Sequence, residues 1–146
     1  MPDLILLDAG PLGRLCRPNG RSPLNREITL WFAGALQNGA EIAIPEIADF
    51  EVRRELIRAG LQQSLQRLGG LKRQLLFVPL DSEVMLRAAE LWAQSRNQGL
   101  PTADPRELDC DVILAAQAEK LGAVIATENV GHLARLTKAK HWRDLP

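Results

Sequence analysis

Cysteine and histidine are scarce in this chain. It has two of each in 146 residues, Cys16, Cys110, His132 and His141, widely scattered. That spacing excludes a zinc finger. Two cysteines do not build a disulfide scaffold, so both read as reduced thiols. Net charge is missing too: 18 Lys and Arg stand against 18 Asp and Glu. This argues against a generic polyanion binder, although it leaves room for a local basic face. No apolar run is long enough to cross a bilayer. The start, "MPDLILLDAG", has no basic region and meets an aspartate too early for a signal peptide. The expectation is a cytoplasmic protein with no membrane partner.

What is present is a patterned core. Hydrophobic residues make up 46% and charged residues 25%, the composition of an ordinary globular domain. "LILLD" (Leu4 to Asp8), "AEIAIP" (Ala40 to Pro45), "LLFVPL" (Leu75 to Leu80) and "GAVIAT" (Gly122 to Thr127) are short apolar runs. They read as buried strands of a parallel sheet. Helical patterns lie between them. One runs from Leu24 to Leu36 after Pro23. A second stripe, Val52, Leu56, Ala59, Leu65 and Leu68, stops at Gly69-Gly70. Val84 to Trp92 follows a cap at Asp81 or Ser82. Val112 to Leu121 ends at Gly122. Strands alternating with helices predict a parallel α/β sheet covered on both faces, in one domain spanning residues 1–146. "RNQGLPTADPRE" (Arg96 to Glu107) reads as a loop.

In such a sheet, ligands bind beyond the carboxyl ends of the strands. Asp8 closes the first strand. Thr127, Glu128 and Asn129 follow the last one. Asp109 and Asp111 open the helix before it. Each has an ordinary structural role: a turn for Asp8, a helix cap for Asp109 or Asn129, a favourable dipole end for Asp111. Together they suggest more. Carboxylates brought to one rim repel unless a cation or proton compensates. Oxygen donors without histidine or thiolate suit Mg²⁺ or Mn²⁺, whose bound water is a nucleophile for phosphodiesters. "IPEIADFEVRREL" adds Glu46, Asp49, Glu51 and Glu55. Asp49 can pair with Arg53 and Glu55 with Arg58 on the helix surface. Glu51 borders the apolar stripe and is the inward candidate. Arg14, Arg17, Arg21 and Arg26 form one basic group. Arg53, Arg54 and Arg58 form a second; Arg135, Lys138, Lys140 and Arg143 form a third. Solvated surface explains each cluster taken alone.

These motifs resemble the PIN-domain ribonucleases, in particular the VapC-type toxins of prokaryotic toxin–antitoxin pairs. The resemblance runs from "LILLDAGPL" through "AIPEIADFEVRREL" and "LDCDVILAAQAE" to "VIATENVGHL". "HWRDLP" is similar to the family's tryptophan-containing C-terminal strand. It implies a three-layer α/β/α fold with a mostly parallel sheet of four to five strands. It implies Mg²⁺- or Mn²⁺-dependent cleavage of RNA by Asp8, Glu51 and Asp111, with Asp109 as an extra ligand or a cap. Asn129 stands where many members carry aspartate, and Thr127 matches the accompanying hydroxyl. Arg14, Arg53 or Arg54 are the expected holders of the RNA backbone. The resemblance also implies a homodimer and a small antitoxin partner. Trp31, Trp92 and Phe50 are interface candidates, although single aromatics more often pack in a core. Two other classes stay open. One is a degenerate PIN module that binds RNA or protein without cutting, which Asn129 keeps alive. The other is a different aspartate-based α/β enzyme, disfavoured because "LLDAGPLG" has no D-x-D.

Overall fold

A computed structural model describes residues 3–99 and 105–146. Its elements run β1 (Ile5–Leu7), α1 (Ala9–Leu15), α2 (Pro23–Gln37), β2 (Ile42–Pro45), α3 (Glu46–Arg58), α4 (Gln62–Gln74) and β3 (Leu76–Val78). Then come α5 (Ser82–Asn97), α6 (Pro105–Leu121), β4 (Val124–Thr127), α7 (Val130–Leu133) and β5 (Ala139–His141). A 3₁₀ turn, Trp142–Asp144, follows. The five strands pair in the order β3-β2-β1-β4-β5, all parallel.

Strand periodicity splits the core into layers. Successive side chains of β1 point to opposite faces. Ile5 and Leu7 join Leu12, Ile28, Val52, Leu68 and Trp142 beneath α1–α4. Leu6 joins Ala43, Ile47, Leu114 and Ile125 beneath α6. A third cluster, including Val84, Leu91, Leu108 and Val112, glues α5 to α6. This is a three-layer α/β/α sandwich. No helix among the described residues is long and apolar enough to cross a membrane.

The structure corrects several element boundaries. The "DAGPL" segment is a helix start and not a bare turn: Asp8 caps α1, with Pro11 in its first turn, where no N–H is needed. The helix stripe after β2 breaks at Gly60 and not at Gly69-Gly70. Gly60 has φ +69°, and Leu61 N–H bonds back to the Leu56 carbonyl, which closes α3. Gly69 and Gly70 sit inside α4, where buried Leu68 and Leu71 hold the helix despite the roughly 1 kcal/mol each glycine costs. α6 starts at Pro105, so Asp109 is an interior residue of the helix and not its cap. The expected 96–107 loop is narrower: Arg96 and Asn97 end α5, residues 105–107 open α6, and 100–104 lie outside the described residues. At the C-terminus the strand is Ala139–His141. Trp142 follows it in the 3₁₀ turn, 1% exposed.

Candidate active site

The strand order reverses at β1: the chain moves from β1 out to β2 and β3 on one side, then crosses to β4 on the other. The crevice outside the carboxyl ends of β1 and β4 is therefore the place for a ligand. Asp8 follows β1 directly. Its Oδ1 accepts from Ala9 N–H at 2.8 Å. Its Oδ2 accepts from the Thr127 hydroxyl at 2.7 Å. Thr127, the last residue of β4, is fully buried, and its oxygen accepts from Asn129 N–H at 2.8 Å. This hydroxyl therefore ties the two strand ends together and fixes the Asp8 rotamer. Burial pushes the Asp8 carboxyl up, against the pull of the Thr127 and Ala9 hydrogen bonds.

Glu51 comes from α3 and Asp111 from α6, both half-buried. Burial first, then the Asp8 charge, push Glu51 up to about 7. Burial, then Asp8, Glu51 and Glu107, push Asp111 up to about 7. Carboxyls from three elements thus share one electrostatic field. Of the cations, Arg54 offsets it at Glu51. Cys110 lies between the acids on α6; burial and then the Glu51 charge push its thiol up to about 11, so it stays protonated. It donates to the Glu51 carboxylate.

The other expected site residues fall as follows. Asp109 is exposed, and its charge acts on Cys110 rather than on the three carboxyls. Asn129 is the N-cap residue of α7 but makes no side-chain cap hydrogen bond; what it gives the site is its backbone N–H. Arg53 grips the buried Asp49 through two bonds of 2.9 and 3.1 Å, and Arg54 lines the groove instead. Arg14 is committed as well. It donates to both Glu128 oxygens at 2.6 and 3.1 Å, to Ser22 Oγ at 3.2 Å and to Asn25 Oδ1 at 2.9 Å. Glu128 also accepts from Trp142 Nε1 at 3.2 Å. An open groove of about 730 Å³ runs from Glu51 along Gly10 and Gly13 of α1 to Arg17 and Arg21.

Two participants were not assigned from sequence. Glu107 stands one helical turn before Asp111, and the i, i+4 spacing would have shown it had the helix start been placed at Pro105. Glu128 stands at the strand end with no role legible from local sequence, because its partner Arg14 is 114 positions away. Among the described residues, no group of three or more His, Cys, Asp or Glu side chains is drawn together tightly enough to hold a metal ion by itself. The donors are nonetheless all carboxylate oxygens, which suits a hydrated hard cation that takes one or two of them directly.

Comparison with known proteins agrees with this layout. The chain's fold matches that of VapBC2 from Rickettsia felis bound to a promoter DNA fragment, at 17% identity, TM-score 0.70, covering 95% of this chain and 98% of that one. It matches DNA-bound VapBC from Salmonella typhimurium at 16% identity and TM-score 0.72, covering 97% and 99%. A toxin–antitoxin complex from Klebsiella pneumoniae matches at 20% identity and TM-score 0.64, covering 94% and 97%. No curated protein sequence matches significantly. The PIN-domain model matches residues 5–138, from the first strand through the last helix and into the approach to β5. With that span and with the acids gathered where the sheet reverses, the chain belongs to the PIN-domain family.

Proposed function

We propose that this protein is a Mg²⁺- or Mn²⁺-dependent endoribonuclease that hydrolyses RNA phosphodiesters as the toxin of a toxin–antitoxin pair. The observation that carries the reading is the convergence of Asp8, Glu51 and Asp111 from three elements at the sheet's reversal point, where burial and then the Asp8 charge raise the other two carboxyls. Like charges are held together at a cost, and a cation is the natural compensation. Bound there, a divalent ion supplies charge neutralisation and Lewis acidity toward the phosphoryl oxygens. Asp8, locked by Ala9 N–H and Thr127 O–H, offers a fixed oxygen donor. Asp111 offers the second from the facing helix. Glu51, oriented by the Cys110 thiol, positions the attacking water. Glu107 adds negative potential at the mouth.

The partner reading has separate support: the similar structures include a toxin–antitoxin complex. A small antitoxin, a homodimer and a cytoplasmic location complete the proposal. The test is cleavage of labelled RNA with Mg²⁺, Mn²⁺ or EDTA, beside Asp8→Asn and Asp111→Asn. Metal-dependent cleavage lost in both variants supports it; cleavage untouched by both overturns it. A second reading, an RNA-binding module that does not cut, is favoured by Asn129, an amide that adds no negative charge beside Thr127. Calorimetric titration that finds no Mg²⁺ or Mn²⁺ binding while RNA binding persists would select it.

A further inference from the structure

The groove does not end at the α1–α2 loop. Arg17 also lines a second cavity of about 430 Å³, bounded by Cys16, Asn19 and Gly20 on one side and Gly60, Gln62 and Arg67 on the other. The two cavities share this arginine and differ in charge. The first has acids at its Glu51 end. The second is lined by two arginines and no acidic residue. Arg14, at the first groove, pairs with Glu128, and Arg53, Arg58, Arg87 and Arg143 carry ion pairs outside it. Among the described residues Arg17, Arg21 and Arg67 carry none, and Arg54 lies over the Phe50 ring. Arg17 and Arg67 thus stand exposed at the second cavity with no carboxylate in its lining.

The loop that presents Arg17 is built, not loose. Asn25 is 7% exposed, and its Nδ2 donates to the Arg17 carbonyl at 2.8 Å while its Oδ1 accepts from Arg14. Gly20 N–H donates to the same Arg17 carbonyl at 2.9 Å. A Cβ on Gly20 would lie 2.4 Å from Asn25 Nδ2. So the loop holds its backbone in place with buried groups while the Arg17 side chain stays available. No aromatic ring lines the second cavity, so it offers charge and hydrogen bonds without a stacking platform.

We propose that this second cavity is a phosphate track for single-stranded RNA, with Arg17 and Arg67 each holding a backbone phosphate beyond the one at the carboxylates. The proposal rests on the ribonuclease reading. Charge complementarity selects a polyanion, and the missing aromatics select its backbone rather than its bases. The carboxylate end repels the strand, so the arginine end supplies the anchoring.

The test is fluorescence anisotropy of a labelled single-stranded RNA in EDTA. It uses wild type, R17A/R67A, the charge-keeping R17K/R67K and, as a control losing the same charge elsewhere, R87A/R96A on α5. The expected result for R17A/R67A is about tenfold weaker binding and a salt slope lower by about 1.4, the loss of two single-strand phosphate contacts. R17K/R67K and R87A/R96A should stay within about twofold of wild type. Equal losses in both alanine pairs, or none in either, overturn the track. Displacement of the RNA by poly-glutamate at equal charge also overturns it and identifies an acidic-peptide site. Failure of the nuclease reading is separately visible: wild type would then bind RNA in this Arg17- and Arg67-dependent way and never cut it.

Discussion

Removing one charge from the carboxyl cluster should stabilise the metal-free protein. Asp111 is moved from an ordinary 3.8 to about 7. A folded value above the unfolded one means that the native state takes the proton more readily. Stability is therefore highest at low pH and is lost as pH climbs from about 4 through about 7. Above that, the ionised carboxylate imposes its full cost. At about 1.4 kcal/mol per pH unit the ceiling is about 4 kcal/mol. Asp111 is only half-buried and shares its field with Asp8 and Glu51, so solvent and relaxation reduce this to about 1–2 kcal/mol. Asp111→Asn keeps the shape and removes the charge. In EDTA at about pH 8 it should raise Tm by about 3–7 °C for a chain of this size. At about pH 5 most of that gain should vanish, because the wild-type carboxyl is then protonated. Thermal melts at both pH values decide the matter. A variant that melts lower than wild type at the higher pH, or whose gain does not depend on pH, refutes the repulsion argument.

Metal affinity should show the opposite pH dependence. Glu51 and Asp111 must ionise to bind a cation, so Mg²⁺ or Mn²⁺ titrations should tighten as pH rises through about 7 and proton release should fall above it. Thr127→Val removes the donor to Asp8 Oδ2 and the acceptor of Asn129 N–H; chemical denaturation should show a loss of about 1–3 kcal/mol, with metal affinity falling too. Gly20→Ala forces its new methyl into Asn25 and should lower stability by about 1–3 kcal/mol and weaken RNA binding, measured by denaturation and anisotropy on the same sample. Leu6→Ala opens a cavity at a fully buried β1 position, for a loss of about 2–5 kcal/mol with the RNA affinity of the folded fraction unchanged.

The sheet was readable because its strands are short apolar runs closed by proline or a polar residue, and burial on both faces demands such runs. Asp8 was readable because it terminates one. Glu51 was not singled out by spacing: four acids share its helix, and only the packing of α3 against α1 and α6 turns this one inward. The break at Gly60 escaped notice because the apolar stripe carries on across it. Glu107 escaped because Pro105 looks like a loop residue until it becomes the first residue of a helix. The commitment of Arg14 was invisible for a different reason. Its partner Glu128 is brought to it by sheet pairing, and no local period reports that.

The hydroxyl that joins Asp8 to Thr127 spans 119 positions of sequence. The contacts that finish the groove reach further along the chain: Trp142 holds Glu128, Glu128 holds Arg14, and Trp31 Nε1 donates to the Leu145 carbonyl at 3.1 Å. A chain synthesised from its N-terminus displays Asp8 early and completes its surroundings last. The strand that neighbours β1 on the reversal side is absent until most of the polypeptide has been made. Growing chains thus carry the acidic residue without its neighbours, and the carboxyl cluster is assembled only near the end of translation.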